Sequence, residues 1–170
     1  MVGYMDIKNQ LENKNFILRQ LNNDDFDLLY NIGKNKKIWE QHPESDRWKR
    51  EKFNIFFNNG IKNIFGLYGI YDKSKNTIIG STRYYSYSKK NNSIKIGFTF
   101  LTPEYWGTDT NLQIKKLMLG YAFNYVENIY FDIGKNNFRS RKAIEKIGAT
   151  LHLDADIGNV LYILRFGDLK

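Results

Sequence analysis

The sequence predicts a mixed α/β (α+β) domain in which about four helices flank one mostly antiparallel central sheet of about seven strands. Three observations carry this. Ile94, Ile96, Phe98 and Phe100 alternate with Lys95, Gly97 and Thr99, the period of a half-buried strand. Ile114, Leu117, Met118, Tyr121, Ala122 and Tyr125 then recur at helical spacing, one apolar stripe of an amphipathic helix. Between residues 65 and 101 three strand-like runs follow one another with only polar turns at 72–76 and 89–92, the pattern of a meander.

Taken in order, residues 16–21 form a short apolar strand. Helix-capping side chains follow at 22–25, and Phe26, Leu29 and Ile32 share a helical face that stops at Gly33. A second helix is expected from about Ser45 through Trp48, Phe53 and Phe56 to residues 58–60. The meander strands lie at 65–71, 77–87 and 93–101, with Tyr85 and Tyr87 on one face by alternation. After the helix of 114–125 comes a strand at 129–133. Asn137 can cap a last helix whose Ser140, Ala143, Ile144 and Ile147 share a face, and Gly148 suits a left-handed C-terminal cap. A hairpin, 150–155 and 160–166, turns at 158–159. The loop at 102–111 leads from a strand to a helix N-terminus, where free amides and the positive end of the helix dipole favour a phosphate.

Length and composition set the limits. At 170 residues one domain spanning 1–170 is expected. Cysteine is absent and only His42 and His152 are present, which excludes disulfides, thiolate nucleophiles and Cys- or His-rich metal sites. No apolar run marks a signal peptide at the start or spans a membrane, so a cytoplasmic, metal-free protein is expected. The net charge of +8 favours an anionic partner, although lysines scattered along the chain also fit a solvated surface.

Three stretches resemble the GNAT superfamily of acyl-CoA-dependent N-acyltransferases, in the branch of ribosomal-protein N-terminal acetyltransferases. They are Ile79-Gly80-Ser81-Thr82-Arg83; Ile96 to Pro103 with Trp106-Gly107-Thr108, Asn111, Lys115 and Tyr121-Ala122-Phe123; and Asn137 to Ile144 with Ile147-Gly148-Ala149. The resemblance implies a sheet splayed between its fourth and fifth strands, with acetyl-CoA or another acyl-CoA as co-substrate. The loop amides from Trp106 through Gly107, Thr108, Asp109 and Thr110 to Asn111 would hold the pyrophosphate. The pantetheine would pair with the strand edge at Phe98, Thr99, Phe100 and Leu101. Asn137, Arg139 and Ser140 would face the cofactor, with Arg141 and Lys142 as further basic candidates.

The implied chemistry is direct attack of a primary amine on the thioester. A backbone amide near Phe98 or Thr99 would polarise the carbonyl; Tyr85, His42 and Ser140 are the proton-handling candidates, with Tyr105 beside Ser140 on the thiolate side. The residues Glu40 and His42 belong to the segment that walls the acceptor cleft in the family. Three departures stand out: Asp109 replaces a usual glycine, Lys95 a frequent glutamate, and Ile144 a frequent tyrosine acid. The expected partners are an acyl-CoA and an amine (a protein N-terminus, an amino sugar or a small amine), in a monomer or homodimer. A catalytically degenerate acyl-CoA-binding relative and a basic nucleic-acid-binding protein are the competing classes. The sequence carries neither an Arg/aromatic RNA-binding signature nor a recognition helix.

Overall fold

A computed structural model describes residues 5–6, 8–154 and 158–168. In chain order the strands are β1 (Gln10–Glu12), β2 (Phe16–Gln20), β3 (Tyr68–Asp72), β4 (Thr77–Ser88), β5 (Ser93–Leu101), β6 (Asn128–Gly134), β7 (Thr150–Leu153) and β8 (Asn159–Arg165). The helices are α1 (Phe26–Gly33), α2 (Arg50–Ile61), α3 (Thr110–Ala122) and α4 (Phe138–Glu145). All eight strands join one sheet in the order β1-β2-β3-β4-β5-β6-β8-β7. Every pair is antiparallel except β5 with β6. The mixed sheet and four helices are as expected; β1, too short to show a period, is the additional strand.

Two apolar clusters cover the two faces. Ile114, Met118 and Leu119 of α3 and Ile144 of α4 pack with Ile94, Ile96 and Leu101 of β5. Leu29 of α1 and Phe53, Phe56 and Phe57 of α2 pack with Trp39, Ile78 and Phe100. Helix α1 ends at Gly33 as predicted, but through packing: a Cβ there would overlap the Phe53 ring.

Local geometry departs from the expectations where tertiary contacts compete. Helix α2 begins at Arg50, not near Ser45, because residues 44–49 turn on Arg47 N–H to Glu44 C=O and Lys49 N–H to Asp46 C=O bonds. That turn carries the Arg47 side chain into the interior, where it is 3% exposed. Strand β3 starts only at Tyr68, after Gly66 turns at a φ of 72°. Helix α3 stops at Ala122, so Tyr125 lies beyond it. Helix α4 is capped by Asn137, whose Oδ1 accepts from Ser140 N–H at 3.2 Å, and Gly148 adopts a φ of 101°. Of the final turn, Gly158 has a φ of 95° and Asn159 already belongs to β8; Ala155 lies outside the described residues.

Candidate active site

The site is built on an irregular stretch of β5. Ser81 faces Phe100 and Arg83 faces Gly97, so Thr82 opposes two residues, Phe98 and Thr99. This is a β-bulge, and Phe98 sits in it at a φ of 52°, a conformation that non-glycine residues rarely adopt. The bulge inverts the side-chain alternation that the sequence suggests. Ile94, Ile96 and Leu101 share the α3 face, Phe100 turns to the α2 face, and Phe98 is left 37% exposed. Neighbours hold it there: the Arg83 guanidinium lies 3.5 Å from its ring centroid and Tyr85 packs edge-on at 5.0 Å.

On its other side β5 parts from its neighbour before the bulge is reached. Strands β5 and β6 pair only from Ser93 to Lys95, against Asn128 to Tyr130, and the expected splay begins after that point. The last pair is clamped by Lys95, whose Nζ meets the Asp132 carboxylate at 2.6 Å. The splay and the loop before α3 enclose one cleft of about 370 Å³, within the range of small-molecule sites.

Most sequence-predicted residues meet in this cleft. Phe98, Thr99, Phe100, Leu101, Trp106, Gly107, Thr108, Asp109, Asn111, Asn137, Arg139, Ser140 and His42 all line it. Tyr85 does not: its hydroxyl donates to Asp132 at 3.1 Å from behind Phe98. Burial and the adjacent carboxylate push the phenol's pKa up, so it acts as a donor and not as a base. A second bulge at Ser86, φ 51°, sends Tyr87 to the opposite face, against Phe65 at 6.2 Å. Thr110 also falls outside; it is buried, and its amide is taken by the Thr108 hydroxyl at 3.3 Å.

Trp106 contributes its ring and not its amides. Its backbone N–H is held by Pro103 C=O at 3.1 Å and its indole N–H by Leu101 C=O at 2.9 Å. Arg139 stacks on that ring at 3.7 Å and donates to Ile38 C=O at 3.2 Å, strapping α4 to the segment before α2. Arg141 points away from the cleft, to the Tyr162 hydroxyl and Lys135 C=O, whereas Lys142 lines it. Gly107 takes a φ of 72°, and Asp109 starts α3 in ordinary right-handed geometry at a φ of −75°. The replacement of glycine at 109 therefore strains nothing. Tyr105 also lines the cleft, but its hydroxyl donates to Asp72 at 2.7 Å and ties the loop to β3.

The titratable side chains of the cleft differ in burial. Burial and the nearby Arg47 guanidinium lower the His42 pKa to about 4, leaving a neutral, weakly basic ring. Its Nδ1 accepts from Glu44 N–H at 2.9 Å. Lys115, by contrast, lines the cleft at 4% exposure. Its Nζ donates to Thr99 Oγ1 at 2.7 Å, and burial lowers its pKa to about 7. Sequence reasoning placed Lys115 on the right helix but missed its burial; the visible signal was a cation beside Ile114 at the edge of an apolar stripe. Asp132, also missed, presents a cleft carboxylate opposite the position where Lys95 replaces the family's glutamate. Ile144 is in the core and cannot donate a proton. Among the described residues no three His, Asp or Glu side chains gather around a metal-sized space, and no helix is long and apolar enough to cross a membrane.

Comparison with known proteins agrees with this geometry. The sequence model described as Acetyltransferase (GNAT) domain matches residues 15–150. No curated protein sequence matches the chain. Among solved structures, a GCN5-related N-acetyltransferase from Brucella melitensis superposes with a TM-score of 0.80 at 16% identity, over 96% of this chain and 80% of that one. Spermidine N-acetyltransferase from Vibrio cholerae, solved with CoA and spermine, gives 0.67 at 16% identity, over 92% and 98%. A candidate ribosomal-protein-serine acetyltransferase from Vibrio cholerae gives 0.73 at 12% identity, over 95% and 99%. With the matched region running through the bulged strand, the splay, the loop and the capped last helix, the chain belongs to the GNAT acetyltransferase family.

Proposed function

We propose that the protein is an acyl-CoA-dependent N-acyltransferase, in the first place an N-acetyltransferase, that transfers the acyl group to a primary amine by direct attack in a ternary complex. The observation that carries this reading is the open edge of β5 beyond Lys95, which meets the N-terminus of α3 in one cleft. An extended pantetheine can pair with such an edge through main-chain groups, and a pyrophosphate suits the dipole of α3 and its first-turn amides other than that of Thr110. Asn111 Oδ1 is buried without a hydrogen-bond partner on a residue that lines the cleft, a vacant acceptor suited to a ligand N–H or hydroxyl. In this reading a backbone amide at Phe98 or Thr99, beside the bulge, polarises the acyl carbonyl, and holding both reactants there supplies much of the rate. Lys115 and Asp132 are the groups that receive and return protons. The same reading makes residues 1–170 one catalytic domain of the ribosomal-protein acetyltransferase branch, a cytoplasmic monomer or homodimer.

Calorimetric titration with acetyl-CoA and CoA tests the reading. We expect one site per chain with a dissociation constant in the micromolar range that typifies substrate binding. Absence of binding up to millimolar concentration would remove the proposal. Binding with no CoA release across a panel of amines would instead favour an acyl-CoA-binding protein without catalysis, consistent with the apolar Ile144.

A further inference from the structure

We infer that the acyl acceptor carries an oxyanion, a carboxylate or a phosphate, close to its reacting amine, and that Arg47, with Arg83 behind it, forms the subsite that recognises it. The inference rests on the acyltransferase reading above and names the substrate class for the same cleft. Arg47 lines the cleft although it is only 3% exposed, and Arg83 is 6% exposed. Their guanidinium carbons lie 4.9 and 5.8 Å from the Phe56 ring centroid. Arg83 also lies 3.5 Å from that of Phe98. Two buried cations thus sit together at the bulge.

Their compensation is lopsided. Arg47 bonds Glu44 at 2.6 Å, but that carboxylate is 66% exposed. The nearby Asp46 is 42% exposed and lies 3.9 Å from Lys49. The ionisable neighbours of Arg83 are Arg47 and Tyr85, a second cation and a neutral phenol. The Nε atoms of both arginines are buried without a hydrogen-bond partner. Such groups are unfavourable in an interior unless paired, and aromatic stacking offsets only part of that. His42, whose Nε2 lies 3.2 Å from Arg47, supplies no negative charge. A carboxylate or phosphate completes the arrangement, because the planar fork of a guanidinium matches either one in two-point contact. Held beside Phe98, that anion sits next to the strand segment at which the amine attacks. A polyamine would bring further positive charge to the same place.

The test is CoA release from acetyl-CoA with matched acceptors: an amino acid and its amide, an amino-sugar phosphate and the free amino sugar, and spermidine. For wild type we expect kcat/KM to be higher for one anionic member by about 10- to 100-fold. The pair that shows the preference identifies carboxylate or phosphate. The preference should collapse in Arg47→Ala and return only partly in Arg47→Lys. Preference for the neutral members or for spermidine overturns the inference while the acyltransferase reading stands. An anionic preference that survives in soluble Arg47→Ala overturns the assignment to Arg47. Bound acetyl-CoA with no release to any acceptor overturns both readings. The wild-type comparison decides between acceptor classes even where Arg47→Ala fails to fold.

Discussion

Lys115 is the residue whose chemistry the fold changes most. An unfolded lysine holds its proton to about pH 10.4, whereas burial brings the folded value to about 7. Between those limits the unfolded chain binds more protons than the folded one, so stability rises with pH across the window; below it the folded state bears the full penalty of a buried ammonium. Replacing Lys115 with Met should therefore flatten that rise and stabilise the protein at pH 6 by about 1–3 kcal/mol. Urea unfolding at pH 6 and pH 9.5 measures both effects. An unchanged slope would show that the Lys115 side chain is not desolvated. His42 acts in the opposite range: with a folded value near 4 against about 6.5 unfolded, its contribution is lost as pH falls through that interval. Neither shift is legible locally, since Lys115 looks like any helical lysine until the burial around it is known.

At the scale of elements, the bulges decide what the strands present. The alternation of residues 94–100 correctly marks a strand but implies one face for Ile96, Phe98 and Phe100. The structure separates them because Thr82 opposes two residues of β5, and no pattern within β5 records how many residues its partner offers. The same holds for Tyr85 and Tyr87 across the bulge at Ser86. Gly80 belongs to this device: a Cβ there would overlap the Phe100 carbonyl oxygen, backbone that cannot move without disturbing the ladder beside the bulge. Gly80→Val should destabilise the protein by about 2 kcal/mol or more, as overpacking does, and weaken acyl-CoA binding with it. Denaturant midpoints and calorimetry on the same variant would check this; wild-type stability would show that the close approach of β4 to β5 at Gly80 does not support the bulge.

For the whole molecule, the net charge of +8 acts at long range. A polyanionic CoA thioester should associate faster at low ionic strength, and its affinity should fall several-fold between about 50 and 500 mM salt as the charges are screened. Stopped-flow association against salt concentration measures this, and a flat response would assign the charge to surface composition alone.

The sequence by itself determined the order of elements from β2 onward, the class of sheet, the strand–loop–helix that faces the cleft, and the absence of cysteine chemistry. These follow from hydrophobic period, turn residues and composition, all of which are local properties of the chain. Only the tertiary structure decided which residues meet: Thr110 and Tyr85 outside the cleft, His42 in it but weakly basic, Lys115 and Asp132 on its wall, and Arg47 buried near Arg83. Strand register and desolvation are set by groups distant in sequence. A side chain's direction and its pKa therefore become defined only when those groups pack around it.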